Sequence, residues 1–410
     1  MEQYHPAHDI KMEISNELEG KCVILGVTGS VAIYRSLDVA RGLIRRGASV
    51  HVVMSRSASN MVSPQMFYWA TGEEPIVDIT GRTEHITLAR KCDAMIIAPA
   101  TLSTMSKILN GTAEGGVALT AISLMGYKKP LLLVPAMHLN MYQTIQAQKI
   151  VKGLIELGIN VLEPVKIGNA LKMPSPNDIV RWATAKILRG NDLAGYKLLV
   201  TAGATREYID AVRFISNPGS GRMGIEIAAE AAARGAQVSL ITGHTEVEIP
   251  AFITTVKSVE TTEEMATIIR KQTSREKYDA LIAAASPVDF RPESKVSEKL
   301  PSGSELIIHL KPTSKTVSSF AKRPRLQVIF VAEVGLTEEE LVRKAREKIE
   351  KYGADLAIAN DISKPGIGFA AQYNQVIIVK PDGEWKAVPK TRKEIVARLI
   401  LDEVRDLLAR

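Results

Sequence analysis

Residues 37–54 read Leu-Asp-Val-Ala-Arg-Gly-Leu-Ile-Arg-Arg-Gly-Ala-Ser-Val-His-Val-Val-Met, and residues 225–241 read Ile-Glu-Ile-Ala-Ala-Glu-Ala-Ala-Ala-Arg-Gly-Ala-Gln-Val-Ser-Leu-Ile. In both, helical spacing of apolar residues runs to a glycine, Gly47 or Gly235, that suits the position just past a helix end. An apolar run typical of a strand follows at once. Each echo also has an apolar strand and a glycine loop upstream. Cys22 to Val27 leads into Gly26-Val-Thr-Gly-Ser30, and Leu198 to Val200 leads into Thr201-Ala-Gly-Ala-Thr-Arg206. Strand, glycine loop, helix and strand make the βαβ unit of a parallel sheet. Two such openings a domain length apart predict two doubly wound, Rossmann-like α/β domains, each with its own mononucleotide-type site.

A chain of 410 residues also exceeds the length at which one core keeps growing. The boundary is expected near Gly190-Asn-Asp-Leu-Ala-Gly195, a small polar stretch after an amphipathic helix. This gives an extension over 1–19 without a core of its own, a first domain over 20–190 and a second over 191–410. Further strands are expected at Ala94–Ala98, Leu131–Val134, Leu281–Ala284, Val328–Val331, Leu356–Ala359 and Val376–Val379.

The net charge of +7 comes from dispersed residues, and aromatics make up 5%. A nucleic-acid groove is therefore not expected, and a solvated basic surface is the simpler reading. The chain has two cysteines, Cys22 and Cys92. They are too few for a disulfide framework and lack metal-ligand spacing, which predicts a reducing compartment. The polar start lacks the apolar core of a signal peptide, and no apolar run reaches the roughly 18 residues a membrane span needs. A cytoplasmic protein is expected.

In open α/β sheets ligands bind beyond the carboxyl ends of the strands. In the first half, Gly29 and Ser30 follow one strand, Ser55 the next, and Thr101 and Ser103 a third. Amides and hydroxyls at such helix starts suit a phosphate, although each residue alone could be an ordinary cap or turn. Thr83 is expected to cap a short helix, with His85 in its first turn, where the dipole opposes positive charge. The bland alternative for His85 is a surface histidine at a helix start.

The set Gly26-Val-Thr-Gly-Ser30, Glu84-His-Ile86, Ala98-Pro-Ala-Thr101, Asn110-Gly111 and Pro135-Ala-Met-His138-x-x-Met141 resembles the homo-oligomeric flavin-containing cysteine decarboxylases. The resemblance implies a flavodoxin-like fold, FMN bound at the border of trimer subunits, and oxidative decarboxylation of a C-terminal cysteine. It makes His85 the catalytic base, Asn110 a substrate or flavin contact, and the Pro135–Met141 loop, including Met137 and His138, a carboxylate clamp beside the flavin. Gly29, Ser30, Ser55, Thr101 and Ser103 would bind FMN. Two departures stand out. His138 replaces the family's asparagine, and the flap from Pro164 to Pro176 lacks the bacterial members' cysteine. Lys172 on the flap, or a water, is expected to supply the proton instead.

In the second half, Leu199-Val-Thr-Ala-Gly-Ala-Thr-Arg206, Asp210-x-Val-Arg213-Phe-Ile-Ser-Asn217 and Ser220-Gly-Arg-Met-Gly224 are followed by Val288-Asp289, Lys295-Val296, Ala359-Asn-Asp-Ile-Ser363 and Gly368-Phe369. Together they resemble the phosphopantothenate–cysteine ligases. Residues 219–224 spell GxGxxG, but 18 residues separate Val200 from Gly219, the wrong context for a dinucleotide fingerprint. A carboxylate oxygen is a poor leaving group, so amide formation needs activation, here as an acyl-cytidylate from CTP. The resemblance places Asp289 on CTP or its Mg²⁺ and Lys295 on the phosphates. Ala283, Lys311, Pro312, Thr313 and Phe330 become nucleotide contacts, Lys348 and Lys351 phosphate ligands, and Arg213 and Asn217 contacts to the acyl intermediate. Lys348 and Lys351 also fit a solvated helix face.

The expectation is one bifunctional enzyme of coenzyme A biosynthesis. It would join 4′-phosphopantothenate to cysteine and then decarboxylate the phosphopantothenoylcysteine to 4′-phosphopantetheine. The resemblance adds flavin-domain trimers and ligase-domain dimers, combined in a dodecamer. Two rival readings fit the sequence less well. A phosphatase-inhibiting flavin-fold protein would carry a long acidic tail, whereas this chain ends in a mixed-charge helix. A flavin prenyltransferase leaves the second half without a role.

Overall fold

The computed structural model describes residues 5–168, 170–301, 303 and 305–410. The first four residues of the expected extension and Asn169 of the flap lie outside the described residues. Two compact units divide the chain, Met1–Gly190 and Asn191–Arg410.

The first unit opens with β1 (Cys22–Val27), α1 (Tyr34–Ile44) and β2 (Ser49–Met54). Three helices follow, α2 (Arg56–Met61), α3 (Pro64–Thr71) and α4 (Glu84–Lys91), and then β3 (Ala94–Ala100). After α5 (Leu102–Leu109) and α6 (Gly116–Gly126) come β4 (Leu131–Pro135), α7 (Leu139–Tyr142), α8 (Ile145–Glu156) and β5 (Asn160–Val161). A hairpin of β6 (Val165–Ile167) and β7 (Ala170–Lys172) precedes α9 (Pro176–Arg189). The main sheet has the order β2-β1-β3-β4-β5, all parallel. This is the flavodoxin-like doubly wound order, with its switch point between β1 and β3. Every residue of β1 and β3 is buried, as expected of strands covered by helices on both faces.

The second unit begins with β8 (Lys197–Ala202), a hairpin of β9 (Arg206–Tyr208) and β10 (Phe214–Ser216), and α10 (Arg222–Ala233). It continues through β11 (Gln237–Thr242), β12 (Thr255–Ser258), α11 (Thr262–Arg275) and β13 (Ala280–Ala283). A small pair, β14 (Phe290–Pro292) and β15 (Leu310–Pro312), precedes β16 (Leu326–Glu333), α12 (Glu338–Tyr352) and β17 (Leu356–Asp361). The chain finishes with β18 (Tyr373–Val379), β19 (Trp385–Arg392) and α13 (Lys393–Leu408). The sheet runs β12-β11-β8-β13-β16-β17-β18-β19. Its first six strands are parallel, and the last two are antiparallel additions. The parallel part has the Rossmann order, with its switch point between β8 and β13.

The echo holds in three dimensions. Gly47 and Gly235 take φ of +101° and +93°, the region that glycine enters without steric cost. The residues between β8 and the GxGxxG stretch form the β9–β10 hairpin, and α10 then packs directly on β8. A Cβ on Gly224 would stand 2.7 Å from the Thr201 carbonyl oxygen, so only glycine allows that approach.

Two expectations are corrected. The first concerns where the extension goes: its described residues pack on the first unit, with Ala7 and Leu18 buried and His5 edge-on to Tyr68 of α3 at 5.0 Å. Cys22 and Cys92, expected as too few for a disulfide framework and as a sign of a reducing compartment, are joined. Parallel pairing of β1 with β3 sets Val23 opposite Ala94, which brings together residues 70 apart in sequence. The cysteines therefore give no support to that compartment. Among the described residues, no helix is long and apolar enough to cross a membrane.

A buried cation ties the second unit together. Arg234, at the end of α10, is 0% exposed. It donates to both carboxylate oxygens of Asp192, at 2.8 and 2.7 Å, and pairs with Asp402 of α13 at 2.9 Å. Removing one partner of a buried pair strands the other, so Arg234→Met should destabilise this unit by about 3 kcal/mol. A urea midpoint unchanged in the variant would contradict this.

Candidate functional site

Each unit has a cavity at its own switch point. In the first, a cavity of about 720 Å³ lies at the ends of β1, β2 and β3, lined by Gly29, Ser55, Thr101 and Ser103. The lining residues follow strands for a local reason. Ser55 and Thr101 end their strands in extended backbone and cap the next helices, accepting from Ala58 N and Thr104 N. Ser55 Oγ lies 3.0 Å from Ser57 Oγ, and a Cβ on Gly29 would stand 2.6 Å from that Ser57 hydroxyl. The result is a hydroxyl-lined cradle, and Ser57 approaches residue 29 this closely only because it is glycine. Gly115 and Gly116, at the start of α6, add backbone on the opposite wall.

The other residues expected here do not line this cavity within one chain. Ser30 Oγ accepts from Ala32 N and caps a short turn. Met137 packs on the core. His138 caps α7, its Nδ1 accepting from Asn140 N at 3.3 Å. Asn110 donates to the Ser106 carbonyl at 2.8 Å. His85 does lie in the first turn of α4, and its Nδ1 is buried without a partner. Thr83 is not its side-chain cap: it sits at φ +53° and donates to the Arg82 carbonyl. The start of this helix is bound instead by Glu84, which accepts from Thr80 N.

In the second unit a cavity of about 360 Å³ opens at the ends of β8, β13 and β16. Of the expected residues, Asn217, Ala283, Asp289, Thr313, Phe330 and Lys348 line it. Asn217 donates to the Pro287 carbonyl at 2.9 Å, which fixes its amide against the strand end. Thr313 donates to the Val288 carbonyl, and Asp289 pairs with Lys315. A Cβ on Gly219 would stand 1.9 Å from Ser286 Oγ, so the glycine loop and the β13 end touch backbone to side chain.

Five expected residues lie off this cavity. Arg213 is turned onto Asp210 at 2.8 Å and the Leu300 carbonyl at 3.1 Å. Lys295 lies over the Tyr208 ring at 5.0 Å. Lys311 pairs with Glu293 at 2.7 Å on the exposed β14–β15 arm, which also carries Pro312. Lys351 is exposed, with its amine over the Tyr352 ring at 5.5 Å.

Sequence reasoning missed Lys315, Ser286, Arg222 and Lys393, all of which line the cavity. Lys315 stands two residues past the Lys311–Thr313 turn, a usable signal. Nothing local marks Lys393, which arrives from the far end of the chain.

Asp210 is fully buried. The amides of Arg213 and Val212, with lesser contributions from Leu300 N and the Arg213 guanidinium, hold its carboxyl down at about 2. A depressed acid stabilises above its unfolded pKa of about 3.9 and loses that contribution as pH falls through the folded value. Acid unfolding of Asp210→Asn should therefore be flatter than wild type between pH 4 and pH 2. Parallel stability curves would count against this role.

Comparison with known proteins follows the same division. Residues 11–188 match the Flavoprotein family and residues 193–408 the DNA/pantothenate metabolism flavoprotein C-terminal domain. The coenzyme A biosynthesis bifunctional protein CoaBC of Thermococcus kodakarensis is 38% identical over 96% of this chain and 97% of its own. That of Escherichia coli K12 is 33% identical over 94% and 97%. The crystal structure of a CoaBC C-terminal domain, 31% identical, covers 53% of this chain and 98% of its own with a TM-score of 0.44. The chain belongs to the coenzyme A biosynthesis bifunctional proteins, with a flavoprotein phosphopantothenoylcysteine decarboxylase unit followed by a phosphopantothenate–cysteine ligase unit.

Proposed function

We propose that the flavin is FMN, that the ligase unit uses CTP with Mg²⁺, and that the product of the second unit is the substrate of the first. The observation that carries this reading is the pair of cavities at separate switch points, one hydroxyl-lined, the other with cations and a carboxylate. A volume of about 720 Å³ falls within the usual range for cofactor sites, roughly 300–1,000 Å³. The Gly29 cradle and the hydroxyls of Ser55, Ser57 and Thr101 suit the FMN phosphate. When bound, the flavin supplies the two-electron acceptor and donor that lets the cysteine carboxylate leave as carbon dioxide. His85, with a buried and unpartnered Nδ1, accepts the substrate proton. His138 and Asn110 orient the substrate carboxylate at a border completed by a neighbouring copy. Exposed Met61, Met66, Trp69 and Ile145 support assembly of this unit, and Phe290 and Ile307 that of the ligase unit, as trimers and dimers within a dodecamer. Lys172, exposed at the end of β7, is the proton donor in place of the family's flap cysteine.

In the ligase unit Asp289 holds the metal, with Lys315 and Lys348 on the triphosphate. The 4′-phosphopantothenate carboxylate attacks the α-phosphorus of CTP and pyrophosphate leaves. The cysteine amine then attacks the acyl carbon, and CMP leaves as the amide forms. Asn217 is placed to donate to the oxygen that gains charge.

Two results are expected. His85→Asn should abolish decarboxylation and leave ligation within about twofold, because the sites are independent; loss of both activities in a folded variant would refute the assignment. CTP, phosphopantothenate and cysteine should give equal CMP and pyrophosphate by chromatography. CDP and phosphate would point to an acyl-phosphate route.

A further inference from the structure

Helix α13 begins with a lysine that fold stability does not explain. Lys393 is 3% exposed, occupies the first helical position, and has Arg222 as a neighbour. Each circumstance opposes a charged amine: burial removes its hydration, a helix start carries positive partial charge, and a like charge repels. Burial first, and Arg222 second, push its pKa down to about 8, with Glu226 acting the other way. A methionine there would fill similar space without these costs.

The amine is engaged with one element. Nζ donates to the Gly368 carbonyl at 2.7 Å and the Phe369 carbonyl at 3.1 Å. The Phe369 carbonyl also accepts from Ser220 Oγ at 2.7 Å. The Gly368–Phe369 turn is therefore pinned from two sides, by the start of α13 and by the glycine loop before α10. Gly368 has φ of +111°, a backbone conformation that glycine supplies to the turn without steric cost. Turn, glycine loop and lysine all line the same cavity.

We propose that Lys393 is a positioning residue for the nucleotide, fixing the Gly368–Phe369 turn as one wall of the ligase cavity. The inference rests on reading that cavity as the CTP site. Its action is exerted through the turn, so losing it should weaken nucleotide capture more than the chemical steps.

The test uses the full-length protein and the ligase reaction with CTP. Wild type must first release CMP; if it does not, the nucleotide reading fails and takes the inference with it. Given that activity, Lys393→Met should raise KM for CTP by about tenfold or more with kcat within about threefold, and Lys393→Arg should return KM to within about threefold of wild type. An unchanged KM in Lys393→Met, a loss confined to kcat, or no rescue by arginine would each overturn the proposal while the CTP reading stood. Should Lys393→Met fail to fold, Ser220→Ala removes only the second anchor and should raise KM about threefold; an unchanged KM there would also overturn it.

Discussion

Where two neighbouring strands of a parallel sheet send their chains to opposite faces, the ladder between them stops at their carboxyl ends, and backbone groups in the diverging loops need other partners. Both units meet that need with threonines. Thr28, just past β1, is 1% exposed; its Oγ1 donates to the Pro99 carbonyl at 2.7 Å and accepts from Thr101 N at 3.1 Å. In the second unit Thr201 Oγ1 accepts from Ala285 N at 3.2 Å, and Thr205 Oγ1 accepts from Val288 N at 2.9 Å. Each hydroxyl replaces a rung across the switch point and fixes the distance between the loops that line the cavity. The cradle at Gly29 and the approach of Gly219 to Ser286 both depend on that distance. A threonine serves because its short, branched side chain has few rotamers and carries both a donor and an acceptor.

The parallel cores were legible because burial on both faces leaves unbroken apolar runs. All six strands expected from such runs exist, some with longer ends. The strands that escaped are of another kind. β19 contains Pro389 and buries only Val388, since an edge strand answers to solvent on one side and tolerates proline. The β9–β10 and β14–β15 pairs are three residues per strand, too short to show a period.

The site was legible in proportion to how locally it is built. Gly29 follows β1, Ser55 follows β2, and Thr101 and Ser103 follow β3, and a strand end is visible in sequence. Asn217, Asp289 and Thr313 were likewise found from motifs that sit at loop ends. Lys295 and Lys311 fell away because charge in a motif does not say which way a long side chain turns. Both found other partners, Lys295 the Tyr208 ring of β9 and Lys311 Glu293 on its own arm. The cysteine pair was hidden for the opposite reason, since register between β1 and β3 is not a local property.

Two buried cations in the ligase unit show how position decides what a charge does. Arg234 lies past the last residue of α10, where carbonyls point outward and positive charge is favoured, and it meets the carboxylates of Asp192 and Asp402. Everything around it compensates its burial, and stability alone accounts for it. Lys393 lies at the first residue of α13, where the helix dipole has the opposite sign. Its amine donates to carbonyls, and Arg222 and Glu226 are among its neighbours. Hydrogen bonds to carbonyls satisfy the amine's protons but do not neutralise its charge. Glu226 offsets part of that charge, and Arg222, Lys315 and Lys348 share the cavity with Asp289 and Glu333, so its wall carries more positive groups than negative ones.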